Sequence, residues 1–141
     1  MLLLVAWLLV GCANVITPAQ AAVTVDLFSG RPDNPTWSLA PDEVADLSSR
    51  LDNLSSSQQK HDQPGNLGYR GIHLELLRPG AEAEERWFIY DGLAEREMPE
   101  GSRSFADPYR KLERWLLATG RPHVNSELYA AIEAEFNVRL P

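Results

Sequence analysis

Alternating apolar and polar side chains predict three short strands along the chain. Val23, Val25 and Leu27 recur at every second position, which is the period of a strand with one buried face. Residues 69–77 show the same alternation, and residues 86–90 are rich in aromatic and β-branched side chains. The linker between these two segments is too short for a helical crossover, so we expect an antiparallel hairpin that the first strand joins.

Apolar residues at helical spacing predict three helices, over about 41–54, 108–119 and 126–137. The first two begin at a proline, whose missing N–H is tolerated in the first helical turn. Segments 55–68 and 95–106 are polar and contain proline and glycine, so we expect them to be loops.

The predicted order of elements is β-α-β-β-α-α. This order indicates an α+β fold, in which a small antiparallel sheet of about three strands carries three helices on one face. The chain has 141 residues, which suits one domain, and we expect residues 23–141 to form it.

The N-terminus carries an export signal. Its first ten residues, MLLLVAWLLV, form an apolar run that is shorter than the ~20 residues of a membrane-spanning helix. Such a run is typical of the core of a signal peptide. It ends in Leu9-Val10-Gly11-Cys12, which resembles the lipobox of bacterial lipoproteins. The resemblance implies that residues 1–11 are removed and that Cys12 is acylated, and Ala13 at the next position implies the outer membrane rather than the inner.

A second cleavage site stands close behind the first. Ala19-Gln20-Ala21 has the A-x-A pattern of ordinary signal peptidase sites, and cleavage there would leave a periplasmic or secreted protein. Under the lipoprotein interpretation, residues 12–22 hold the acylated cysteine and a short, uncharged tether. Cys12 is the single cysteine of the chain, so no intramolecular disulfide is possible.

The net charge of −7 argues against a nucleic-acid partner, because phosphate contacts need a basic surface. It also argues against adhesion to anionic lipid through charge alone. An acidic surface either keeps the domain soluble or complements a basic protein.

Three residues are candidates for binding. Two X-Pro bonds stiffen the segment around Arg31, which either presents Arg31 to a ligand or folds back so that Trp37 packs in the core. The string FSGRPDNPTW in this segment resembles a stretch of uncharacterised secreted bacterial proteins and implies no activity. Trp87 and Phe88 point to opposite faces of their strand, so one of them lies on a face that the first helix does not cover.

Catalytic patterns are weak. His73 and Glu75 share a strand face, where they could hold a metal ion or simply be solvated. Asp26, Glu75 and Asp91 could converge as paired carboxylates. The sequence contains neither a G-x-S-x-G elbow nor a glycine-rich phosphate loop, and we expect no cofactor.

These observations favour an exported, membrane-anchored lipoprotein whose domain binds a protein or an envelope component without catalysis. One alternative is a periplasmic inhibitor or immunity-type protein that blocks a toxin or hydrolase. A third is a hydrolase that uses carboxylates or a metal ion at His73.

Overall fold

One antiparallel sheet forms the frame of the molecule. The computed structural model describes residues 18–28, 33–62 and 68–138. The strands are β1 (Gln20–Phe28), β2 (Thr36–Ser38), β3 (Ser55–Ser57), β4 (Gly68–Leu77), β5 (Glu85–Tyr90), β6 (Leu93–Met98) and β7 (Gly101–Ala106). The helices are α1 (Pro41–Asp52), α2 (Lys111–Thr119) and α3 (Ser126–Val138), and a 3-10 turn (Pro108–Arg110) precedes α2. The seven strands lie in the order β2-β1-β4-β5-β6-β7-β3.

The prediction of about three strands in the order β-α-β-β-α-α is wrong, because the structure has four further strands, β2, β3, β6 and β7. β6 and β7 form a hairpin over residues 93–106, which includes the whole segment 95–106 that we predicted to be a loop. Several of their side chains are charged or hydroxylated and stay exposed, so the segment lacks the apolar alternation of a half-buried strand. β2 and β3 have three residues each, too few for any periodic pattern.

The helices cover one face of the sheet, and the core lies between the two layers. Val23, Leu74 and Trp87 lie side by side on β1, β4 and β5, and all three are buried. Alternate residues of a strand point to the same face, so this row defines the covered face. The helices contribute their apolar stripes to the same core, namely Val44, Leu47, Leu51, Leu112, Leu116, Ile132 and Phe136.

A tryptophan on the edge strand β2 packs against the end of α2. Trp37 lies opposite Val23 and is 5% exposed. Its indole N–H donates a hydrogen bond of 2.9 Å to the hydroxyl of Thr119. Gly120 lies against the ring, where a Cβ atom would come within 2.6 Å of it. Trp37 therefore closes the core at this edge.

A buried ion pair joins the sheet to α2 and α3. Arg110 Nε donates to Glu113 Oε2 at 2.7 Å, and Arg110 Nη2 donates to Oε1 at 2.9 Å. The hydroxyl of Tyr69 on β4 donates to the same carboxylate, and the guanidinium lies 3.8 Å from the ring centre of Phe136. Burial, and then the charge of Glu113, raise the pKa of Tyr69 well above its ordinary value.

The ion pair holds an unusual turn before α2. Tyr109 and Arg110 both have left-handed φ angles, of 58° and 52°, a conformation that costs about 1–3 kcal/mol for a residue other than glycine. The turn sends Arg110 into the core and leaves Tyr109 82% exposed. Asp107 caps α2, because its carboxylate accepts hydrogen bonds from the amides of Leu112 and Glu113 at 2.8 and 3.0 Å.

β1 begins at Gln20, earlier than predicted. Ala21 is buried and pairs with Leu76, and its carbonyl accepts a hydrogen bond of 2.9 Å from the amide of Leu39. Residues 20–22, which we predicted to be the end of a tether, therefore belong to the sheet.

Candidate functional site

The sheet face opposite the helices is open to solvent over much of its area, and we call it the open face. Thr24, His73, Phe88 and Glu95 lie side by side across β1, β4, β5 and β6. They alternate with the buried residues of the covered face, so they point away from the helices.

Four rings gather near the middle of the open face, and we call His61, His73, Phe88 and Tyr90 the ring cluster. The ring centre of Phe88 lies 4.9 Å from that of His61, 5.0 Å from that of His73 and 6.2 Å from that of Tyr90. His61 reaches the cluster from the segment after β3, and its backbone N–H donates to Glu95 Oε1 at 3.2 Å. Phe88 is therefore the centre of the cluster.

Gly71 makes room for the Phe88 ring. A Cβ atom at Gly71 would lie 2.8 Å from Phe88 Cε2 and 2.9 Å from Cζ, and the glycine has a φ angle of +122°. The pairing of β1 with β4 is also irregular here, between Asp26 and Leu27. Glycine inside a strand commonly marks such a close approach, and here it lets an aromatic ring lie against the backbone.

A groove of about 580 Å³ crosses the open face from β4 to β7. Four neighbouring strands span ~14 Å, since adjacent strands lie ~4.8 Å apart. Six of the nine residues that line the groove are charged or polar, and Phe88 lies among them. The six are His73, Glu75, Arg86, Glu95, Glu97 and Ser102.

Carboxylates outnumber cations in this groove. Glu75, Glu95 and Glu97 face the single guanidinium of Arg86, so the groove carries a net charge of −2 when His73 is neutral. Arg86 Nε lies 3.8 Å from Glu75 Oε1, and both side chains are more than half exposed. Such a pair contributes at most about 1 kcal/mol. In the part of the chain that the structure describes, Glu97 forms no ion pair.

His73 lies at the β1 side of the groove. Its Nε2 is 3.7 Å from Asp26 Oδ2, and Arg70 Nε lies at the same distance from that oxygen. Glu75 is two positions further along β4, on the same face. Across residues 18–28, 33–62 and 68–138, no group of three or more His, Cys, Asp or Glu side chains is arranged to hold a metal ion.

The carboxylates considered for paired chemistry lie apart. Asp26 pairs with Gly71 and Glu75 with Ala22, so the two sites lie four positions apart along β1. This corresponds to ~13 Å along a strand. Asp91 lies in the turn between β5 and β6.

Both tryptophans proposed as binding residues lie in the core. Trp37 packs against α2, as described above. Trp87 is 5% exposed, and its ring centre lies 5.4 Å from that of Phe105 on the covered face. Its indole N–H donates to Glu85 Oε2 at 3.1 Å. Of the two β5 aromatic residues in the ring cluster, Phe88 is half-buried and lines the groove, whereas Tyr90 is buried.

The other two predicted site residues, Cys12 and Arg31, lie outside the described residues. Sequence reasoning missed His61, because nothing in the polar segment 55–68 indicates that it returns to the sheet. It also missed Glu95 and Glu97, which stand in the unpredicted hairpin. The available signal was the Asp91-Gly92 pair directly after β5, since Asp-Gly is typical of a two-residue hairpin turn.

Comparison with protein-family models, with curated proteins and with solved structures found no significant match. No helix within the described ranges has both the length and the apolar character needed to cross a membrane. The functional argument therefore rests on the predicted export signal and on the open face.

Proposed function

We propose that this chain is an exported lipoprotein whose domain binds another protein or an envelope component without catalysis, and that the open face is its contact surface. The observation that carries the proposal is the position of the ring cluster and the groove. Both lie on the face of the sheet that the three helices leave uncovered.

An open face needs no partner if it is simply polar, as in many antiparallel sheets. This one differs because a half-buried phenylalanine stands at its centre among charged side chains. Aromatic residues are enriched at the centres of protein interfaces, where a polar rim surrounds them. Phe88, with Glu75 and Arg86 beside it, has this arrangement.

The start of β1 supports anchoring through Cys12. Cleavage after Ala21 would remove Gln20 and Ala21 from the sheet, including the buried side chain of Ala21. Cleavage before Cys12 leaves the strand intact. Residues 13–19 would then link the lipid to the domain, and seven residues span at most ~25 Å. The domain would stay close to the bilayer, and the outer membrane follows from Ala13.

An inhibitor or immunity-type protein is a narrower form of the same proposal. It is favoured by the acidic groove and by the net charge of −7, which would suit a basic enzyme or toxin as the partner. The hydrolase alternative has less support than the inhibitor, because Asp26 and Glu75 are too far apart to share one water molecule.

Site-specific photo-crosslinking in living cells tests the proposal. The full chain would carry p-benzoylphenylalanine in place of Ser102, which is exposed at the groove. We expect a discrete crosslinked adduct that mass spectrometry can identify. The matched control places the same amino acid at Ala45, which is exposed on α1.

Equal adducts from Ser102 and Ala45 would show that the open face has no special role and would overturn the proposal. A single basic hydrolase or toxin in the Ser102 adduct would select the inhibitor form, provided that its activity falls on binding.

A further inference from the structure

The shape of the groove favours an extended occupant over a compact one. It crosses four strands on an unenclosed surface, over ~14 Å. In an extended segment, side chains on the same side recur every ~6.6–7 Å. A segment lying along the groove would therefore present two or three side chains to it.

The charges of the groove favour a positively charged group on the ligand. Glu97 has no ion pair within the described residues, and Glu75 holds only the exposed, loosely placed Arg86. Glu95 accepts hydrogen bonds from the amide of His61 and the hydroxyl of Ser104, at 3.2 and 3.3 Å, so it is fixed in position. A guanidinium or ammonium group would complement these three carboxylates.

Phe88 adds a second reason for a cation. Its ring contacts His61, His73 and the Gly71 backbone, stays half-buried and lines the groove. A cation within about 6 Å of an aromatic ring centre is attracted to the ring face. Carboxylates beside an aromatic ring bind arginine or lysine better than a neutral or anionic side chain.

We infer that the groove binds an extended segment of a partner protein through arginine or lysine side chains, which lie between Phe88 and the carboxylates of Glu75, Glu95 and Glu97. The inference rests on the proposed function and names the chemistry of the partner. A second copy of this chain fits poorly, because it would bring its own acidic groove and a net charge of −7.

The test uses synthetic peptides and the full chain purified in a non-ionic detergent. One heptapeptide, Gly-Arg-Ser-Arg-Ser-Arg-Gly, matches the two-residue period. Its counterpart carries citrulline, which has the shape of arginine without the charge. Binding is measured by calorimetry at low and high salt. We expect the arginine peptide to bind at least about tenfold more tightly and to weaken as salt rises.

Paired variants locate the site. Glu75→Gln with Glu97→Gln should raise the Kd of the arginine peptide about tenfold. Glu82→Gln with Glu100→Gln makes the same change in net charge at two exposed positions outside the groove, and it should raise the Kd less than about twofold. Phe88→Leu should weaken binding without moving the salt dependence. Circular dichroism checks that each variant is folded.

Several outcomes would overturn the inference. Equal affinity for the arginine and citrulline peptides, or no binding of either, would do so. Equal effects of the two double variants would show that the net charge of the protein, and not the groove, attracts the arginine peptide. If an N-acetylglucosamine trimer binds and the arginine peptide does not, the ligand of the groove is a glycan and not a protein segment. Only the crosslinking experiment decides the proposed function itself.

Discussion

At the residue scale, the buried cluster around Glu113 joins a charged carboxylate to partners from β4 and the turn before α2. The carboxylate is fully buried; Arg110 balances its charge, and the hydroxyl of Tyr69 donates a hydrogen bond to it. Removing one partner from a buried charged group costs more than the bond contributes, because the remaining group cannot return to water.

Tyr69→Phe should therefore lower the free energy of unfolding by about 1.5–3 kcal/mol, since a hydrogen bond to a buried charge is lost. Urea denaturation followed by circular dichroism measures this change. Tyr109→Phe is the matched control, because it deletes the same hydroxyl from a ring that is 82% exposed. The control should change stability by less than about 0.5 kcal/mol. Equal losses in both variants would contradict a stabilising role for the Tyr69 hydroxyl.

The raised pKa of Tyr69 also predicts a pH dependence. The folded state keeps the phenolic proton at a pH where the unfolded chain has lost it, above about 10. The stabilisation is complete below that pH and is lost as pH rises toward the folded pKa, by up to about 1.4 kcal/mol per pH unit. Urea unfolding between pH 9 and 11 should show a shallower decline for Tyr69→Phe. Parallel curves for the two proteins would refute the effect.

At the scale of elements, β4 supports both faces of the sheet. Its apolar residues pack under the helices, and Gly71 admits the Phe88 ring on the open face. Any other residue at Gly71 would displace the Phe88 ring or the backbone, so the open face depends on glycine at this position.

Gly71→Ala should destabilise the protein by about 1–3 kcal/mol more than Gly80→Ala. Both glycines have positive φ angles, of 122° and 72°, so both substitutions carry conformational strain. Only Gly71 would place its Cβ against Phe88, whereas nothing lies within 4 Å at Gly80. Thermal unfolding compares the two variants. A larger loss for Gly80→Ala would mean that the ring moves aside freely.

Predictability from sequence also differs among the elements. All three helices were found near their true positions, because capping residues and apolar stripes are local signals. β1, β4 and β5 were found because one of their faces is buried. β6 and β7 were missed because the hairpin is held mainly by pairing between strands, which leaves little apolar pattern in the chain.

At the scale of the whole molecule, the proposed lipid anchor would hold the open face near a membrane. Cys12→Ser should abolish labelling by a clickable palmitate analogue and shift the protein from the membrane fraction to the soluble fraction. A neighbouring control, Ala13→Ser, should keep both properties. A Cys12→Ser protein that stays labelled and membrane-bound would rule out acylation at this cysteine.

The sequence by itself determined the local features of this protein. These are the three helices and the strands with one buried face, because each depends on residues that are neighbours in the chain. The export signal with its lipobox resemblance is local in the same sense and stays a prediction. Only the tertiary structure decided the width of the sheet and the make-up of the candidate site. His61 meets Glu95 across 34 positions of sequence, and Trp37 meets Thr119 across 82. Such contacts depend on strand order and packing, which no local pattern records.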